Sequence, residues 1–191
     1  MDARPTGGTA TLGIVLIGHG SPALDCPPQL IGELMSLEWR HDHGSPGGHA
    51  LTGRAAELDA TIRHWPRRAD NDPYKRGLER LAEALRPLLP TDRFVIGYNE
   101  FCRPSIPEAV EQVIGMGVTR VLVIPTMLTP GGVHSEVDIP RALDELRRAH
   151  PTVTIDYAWP FDLHRVAALL ASHVAQAVRS LSAAEPCPPG G

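Results

Sequence analysis

The sequence predicts an α/β fold in three layers, with a central parallel sheet of about four strands flanked by helices on both faces. Four short runs rich in branched apolar residues stand at 12–17, 93–98, 120–125 and 153–158. Stretches of helix length, with apolar residues three and four apart, lie between them and after the last. The chain between successive runs is long enough for the crossover helix that parallel pairing requires.

The first run is almost unbroken apolar sequence, as expected of a strand covered on both faces, and it leads into Gly18-His19-Gly20-Ser21. A helix is expected over 29–39, then a turn-rich stretch at 41–49 with no apolar period. A second helix, 54–65, stops at Pro66, and 67–73 reads as a polar loop. The stretch 74–89 carries Leu78, Leu81, Leu85, Leu88 and Leu89 at helical spacing. After the second strand, 105–115 carries Ile106, Ala109, Val110, Val113 and Ile114 and closes on Gly115 and Gly117. A helix over 139–150 has Asp138 placed to cap its start, and one over 163–181 has Asp162 in the same place. The segment at about 38–73 breaks the alternation and reads as an elaboration of the first crossover. The expected organisation is one domain over 11–181, with flexible termini at 1–10 and 182–191.

The 191 residues are enough to bury a core. A net charge of −4 gives no basic footprint for nucleic acid, and few aromatic residues are present to stack bases. No run of 18 apolar residues occurs, which argues against a membrane span. The first eight residues lack the charged-then-apolar build of a secretion signal. Three cysteines (Cys26, Cys102, Cys187) form no CxxC pair, so a cytoplasmic, reducing setting is expected.

Two histidines follow strand ends. His19 comes directly after the first strand, and His134 follows the third strand and the loop Thr126-Met127-Leu128-Thr129-Pro130-Gly131-Gly132-Val133. In a parallel sheet ligands bind beyond the carboxyl ends of the strands. Neutral imidazoles there suit a divalent transition metal or proton transfer near neutral pH. Glu100, just past the second strand, reaches the same edge, where it could orient an imidazole, accept a proton or help hold a metal. Arg103 either pairs bidentately with a substrate carboxylate or is a surface charge. A phosphate loop at His19 is disfavoured, because Pro22, Pro27 and Pro28 oppose an immediate helix start and Ile17 and Gly18 stand where a phosphohistidine phosphatase has arginine. A serine hydrolase built on Ser21 lacks the G-x-S-x-G elbow. His41, His43, His49 and His64 read as a solvated loop in preference to a metal store.

Together the strand-GHGS start, the stretch 100–107, the segment Gly131-Gly132-Val133-His134-Ser135-Glu136-Val137-Asp138-Ile139-Pro140 and the closing Tyr157-Ala158-Trp159-Pro160-Phe161-Asp162 resemble the CbiX-type sirohydrochlorin chelatases. The resemblance covers most of 11–181. It implies a chelatase-like fold and a class II-type lyase that inserts Co²⁺, or Fe²⁺ or Ni²⁺, into the tetrapyrrole sirohydrochlorin. The pathway would be cobalamin or sirohaem synthesis. No tightly bound cofactor is expected, since the metal is substrate. By position, His19 and His134 would handle the metal, with His19 also a base and Glu100 a supporting acid. Ser21, Arg103, Leu128, Thr129, Pro130, Gly131, Gly132 and Val133 would meet the substrate. Short relatives carry glutamate where Arg103 stands, and their loop before the second histidine is one residue shorter. A homodimer is expected. The competing reading is a non-catalytic tetrapyrrole or metal carrier on the same fold.

Overall fold

The computed structural model describes residues 11–44 and 51–184. The expected flexible termini, apart from 182–184, together with His49 and Cys187, lie outside the described residues. Four strands, β1 (Leu12–Gly18), β2 (Phe94–Tyr98), β3 (Arg120–Pro125) and β4 (Thr154–Tyr157), form one parallel sheet in the order β2-β1-β3-β4. Within it Ile14 pairs with Phe94 on one side and Leu122 on the other. The expected α/β class and four-strand sheet are present, with strand ends within a residue of expectation.

Six helices connect or follow the strands: α1 (Pro28–Gly44), α2 (Gly53–Arg63), α3 (Pro73–Leu85), α4 (Ile106–Gly115), α5 (Ile139–Ala149) and α6 (Leu163–Ala184). Alternation along β1 splits the core. Val15 and Ile17 point to one face and are sealed by Val110 and Val113 of α4 and Leu143 of α5. Ile14 and Leu16 point to the other, against Leu78 and Ala82 of α3. A third cluster joins Leu34 of α1 and Leu58 and Ile62 of α2 to Ala23 and Phe101.

Local chemistry sets the helix starts. Ser105 and Glu108 form a reciprocal capping box at α4, with Pro107 in the first turn. Asp72 caps α3 by accepting the Lys75 N–H at 2.9 Å, and Asp162 accepts the His164 N–H at 2.8 Å, as expected of its position. Three details differ from the sequence reading. The stretch 41–44, expected as part of a turn over 41–49, continues α1, and the rest of that stretch lies outside the described residues. Leu81 and Leu88, expected in the α3 apolar face, are exposed. Asp138 gives α5 no side-chain cap, because a π-helical turn, His134–Asp138, runs straight into that helix and leaves no free N-terminus there.

The 38–73 elaboration ties into the sheet through two arginines. Arg67 binds the Asp72 carboxylate at 2.7 Å and donates to the Ser21 and Phe101 carbonyls at 2.8 and 2.6 Å. Arg63, paired with Asp59, donates to the Asn99 and Cys102 carbonyls at 2.8 and 3.0 Å. Both guanidiniums thus fasten the loops that follow β1 and β2. Asp72 is buried and Arg67 nearly so. Arg67→Ala therefore strands a buried carboxylate, and urea denaturation should report a loss of about 3–5 kcal/mol. A loss under 1 kcal/mol would mean that the tie is ornamental.

Candidate metal-handling site

The sheet order reverses between β1 and β3, and a crevice opens at such a point beyond the strand ends. His19 leaves β1 at this edge, and His134 arrives from the loop after β3. The β1–β2 ladder continues past the strands: the Asn99 N–H donates to the Gly18 carbonyl at 2.9 Å and the Glu100 N–H to the His19 carbonyl at 2.8 Å. This fixes His19 and Glu100 side by side. The loops meet at Gly20, whose φ of +97° favours glycine and where a Cβ would stand 1.9 Å from the Glu100 carbonyl oxygen. Phe101 adopts φ of +57°, an unusual value for a non-glycine residue, with the Arg67 contact on its carbonyl.

His19, Glu100 and His134 converge, one ligand atom of each lying within 4.8 Å of the others. The two imidazoles meet edge to face with centroids 4.7 Å apart. His19 Nδ1 lies 2.8 Å from the Gly20 carbonyl, an acceptor only, so Nδ1 carries the proton and Nε2 is a bare lone pair. His134 Nδ1 lies 2.7 Å from the Asp138 carboxylate, to which it donates, and the Asn99 side-chain amide stands 2.9 Å from the same nitrogen. The carboxylate again assigns the proton to Nδ1 and leaves Nε2 facing inward. The two Glu100 oxygens divide between the rings, 3.8 Å from His19 Nε2 and 3.6 Å from His134 Nε2. Those separations exceed hydrogen bonds. Two nitrogen lone pairs and one carboxylate thus face a common point, an arrangement that suits a borderline divalent metal and leaves most of its coordination sphere open.

A cleft of about 350 Å³ opens beside His134. Its walls include Glu38, Asp59, Glu100 and Asp138 as acids and Arg63 and Arg141 as cations. A second cavity, about 600 Å³, is lined by Leu128, Tyr157, Trp159, Phe161 and Leu169 among others. The loop carrying Leu128, Thr129, Pro130, Gly131, Gly132 and Val133 therefore runs from the wall of one cavity to the wall of the other. Leu128 lines the larger and Val133 the smaller. Gly131, at φ of +93°, is fixed by Glu136, which accepts its N–H at 2.6 Å.

Two expected substrate contacts, like His19 itself, line neither cavity. Arg103 is engaged by Glu108 and by His64 Nε2, and it lines neither cavity. Ser21 hydrogen-bonds to the Pro22 carbonyl and likewise lines neither. Sequence reasoning missed Arg141 and Asn99, and took Asp138 for a helix cap. The His134–Asp138 spacing of four residues was a readable signal, since such pairs share a helix face. Arg141 has no hydrogen-bond or ion-pair partner among the described residues, although it stands on the cleft wall. The side chains of His41 and His43 lie outside the described residues.

Fold and site together define a class: a parallel α/β protein with two histidines and a carboxylate gathered at the sheet's switch point. A family model described as CbiX matches residues 69–177, more than half of the chain, and the chain belongs to the CbiX family. It is 38% identical over 70 residues to the sirohydrochlorin cobaltochelatase of Priestia megaterium, which covers 37% of this chain and 22% of that protein. It is 41% identical over 81 residues to the sirohydrochlorin cobaltochelatase of Methanocaldococcus jannaschii, covering 41% and 54%. The matched stretches thus span about half or less of these relatives. A crystal structure described as a cobalamin-biosynthesis CbiX protein from Marinobacter aquaeolei superposes with a TM-score of 0.51 at 20% identity, over 88% of this chain and 97% of that one, and so shares the fold.

The hydrogen bond to Asp138, helped by the negative charges of Glu100, Asp138 and Glu38 and opposed by burial, raises the His134 pKa above its ordinary 6.5. The imidazole therefore keeps its second proton to higher pH than a free histidine, and Nε2 becomes a ligand only above that point. Removing the anion lowers the pKa. Asp138→Asn should move the His134 titration, followed by NMR in the metal-free protein, to lower pH. An unchanged titration would dismiss the carboxylate as its cause.

Proposed function

We propose that this chain inserts a divalent transition metal into sirohydrochlorin. The observation that carries the reading is the convergence of two imidazole Nε2 atoms and one carboxylate at an open sheet edge. Insertion exchanges one M²⁺ for two pyrrole N–H protons, so a site must hold the ion loosely and take up protons. His19 and His134 supply the perch, and their fixed Nδ1–H groups keep both lone pairs aimed at the ion. Three protein donors leave positions at which macrocycle nitrogens can enter before the imidazoles let go. Glu100, between the rings, balances the ion's charge and accepts a proton as it departs.

Cobalt is the metal we favour, because the curated relatives carry cobaltochelatase in their names. Fe²⁺ and Ni²⁺ are the competitors. Sirohydrochlorin bears a rim of carboxylates, and Arg141 is the cation on the cleft wall with no described partner to release first. We assign it the grip on one of them, in place of Arg103. The setting we propose is cytoplasmic, feeding cobalamin or sirohaem synthesis. Among the described residues no helix is long and apolar enough to cross a membrane.

An anaerobic absorbance time course with sirohydrochlorin and each of Co²⁺, Fe²⁺ and Ni²⁺, against a blank without protein, tests the reading. Enzyme-dependent metallation, abolished in His134→Ala with an unchanged circular dichroism spectrum, is expected. Bound but unaccelerated tetrapyrrole would instead identify a carrier. Arg141→Ala removes one charge-assisted contact and should raise KM by roughly tenfold or more with little change in kcat. An unchanged KM would remove Arg141 from the substrate site.

A further inference from the structure

The aim of the His134 ring depends on the π-helical turn that carries it. In that turn the Ile139 N–H donates to the His134 carbonyl, five residues back. Ile139 is therefore lost as the α-helical donor to the Ser135 carbonyl, four residues before it. The next donor in a π-helical register would be residue 140, which is Pro140 and has no N–H. The Ser135 carbonyl is thus left without a helical partner, in a residue only 1% exposed. A buried carbonyl so placed must find a donor elsewhere or lower the stability of its turn.

The donor is a side chain from the sheet. The Tyr157 hydroxyl donates to the Ser135 carbonyl at 3.0 Å. Tyr157 closes β4 opposite Val123 of β3, and the ladder continues one step past it, from the Ala158 N–H to the Val123 carbonyl at 2.8 Å. Its ring packs against the buried cluster beneath α4 and α5 and stacks with Trp159, centroids 6.5 Å apart. Backbone and ring are both held, so the hydroxyl stands as a fixed post. Burial pushes its pKa up to about 12, and it stays a donor across the neutral range. On the N-terminal side, Ser135 Oγ donates to the Gly132 carbonyl at 3.1 Å, and the Glu136 N–H donates to the same oxygen at 3.0 Å.

We infer that Tyr157 is a positioning residue for His134, its hydroxyl fastening the π-helical turn so that Nε2 faces His19 and Glu100. The inference rests on the metal-handling role proposed for that trio. A competing register is close at hand. Were the Ile139 N–H to turn to the Ser135 carbonyl, the α-helical bond would be restored and the extra residue of the π-helical turn absorbed. One residue corresponds to about 100° of rotation about a helix axis, enough to carry the His134 ring off the site. The Tyr157 hydroxyl already supplies the bond that Ser135 would gain from this slip, and so removes its reward. Tyr157 acts through His134 and touches no reacting atom.

Tyr157→Phe keeps the ring and removes the hydroxyl. Co²⁺ is titrated into parent and variant without tetrapyrrole, followed by its visible d–d absorbance, and the anaerobic metallation of sirohydrochlorin is then timed. Co²⁺ affinity and kcat should each fall roughly tenfold, the equivalent of one buried hydrogen bond, with the KM for sirohydrochlorin unchanged. Pro140→Ala in the Tyr157→Phe chain returns a backbone N–H within reach of Ser135 and should recover most of the Co²⁺ affinity. A merely structural tyrosine would lower the denaturation midpoint and leave the Co²⁺ affinity of the folded protein as it was; that result overturns the inference. So does a loss of affinity that Pro140→Ala leaves untouched. Failure of metallation in parent and variant alike, with Co²⁺ affinity still split tenfold, would instead sink the proposed insertion and leave the role of Tyr157 standing.

Discussion

The site depends on the hydrogen bonding of β1 to a parallel neighbour on each side. With β2 on one flank and β3 on the other, the ends of all three strands open at one edge. The ladder runs one step beyond the strands, through Asn99–Gly18 and Glu100–His19, before the chains part. That step decides the geometry, because it sets a histidine and a glutamate on adjacent backbones. It also brings Gly20 so close to the Glu100 carbonyl that no larger residue fits without moving a loop. His134 is added from the other flank, on a π-helical turn whose last residue, Asp138, supports the ring.

The sequence made the scaffold legible where periodicity and position agree. Strand runs, helix stripes and the placement of His19, Glu100 and His134 past strand ends all follow from local pattern and the rule that parallel sheets work at their carboxyl edge. Three kinds of feature escaped. Asp138 looked like a cap because a strand-loop-helix pattern implies a free helix start, but the π-helical turn removed that start and released the carboxylate to His134. Arg63 and Arg67 lie in a segment with no local signal, and their carbonyl partners are more than thirty residues away for Arg63 and as many as 46 for Arg67. Leu81 and Leu88 have the spacing of core residues, yet the sheet under α3 does not reach them.

The elaboration therefore has a physical reason to exist that differs from a lid or a metal store. Loops after strands carry few backbone hydrogen bonds of their own. Here two guanidiniums supply donors to four carbonyls, those of Ser21, Asn99, Phe101 and Cys102, across the loops that carry His19 and Glu100. Arginine suits this task through its several donors: Arg63 turns Nε to Asp59 and its two Nη groups to carbonyls, while Arg67 Nη1 serves Asp72 and Ser21 together and Nη2 reaches Phe101. The buried Asp72 and half-buried Asp59 orient the forks.

A site that transfers a metal must avoid holding it. Structural zinc sites close four ligands around the ion and retain it. Here two imidazoles and one carboxylate offer three ligand atoms within 4.8 Å of one another, one short of such a closed shell. The rings are nevertheless prevented from turning, by the Gly20 carbonyl on one side and the Asp138 carboxylate on the other. Fixed orientation with incomplete coordination would, under the proposed reaction, lower the cost of the ion's arrival without deepening the well from which it must leave. Under the proposed reaction, the raised proton affinity of His134 serves the same end. Once the macrocycle takes the ion, the imidazole is a ready acceptor for one of the displaced protons, and a protonated ring cannot rebind the metal it has just surrendered.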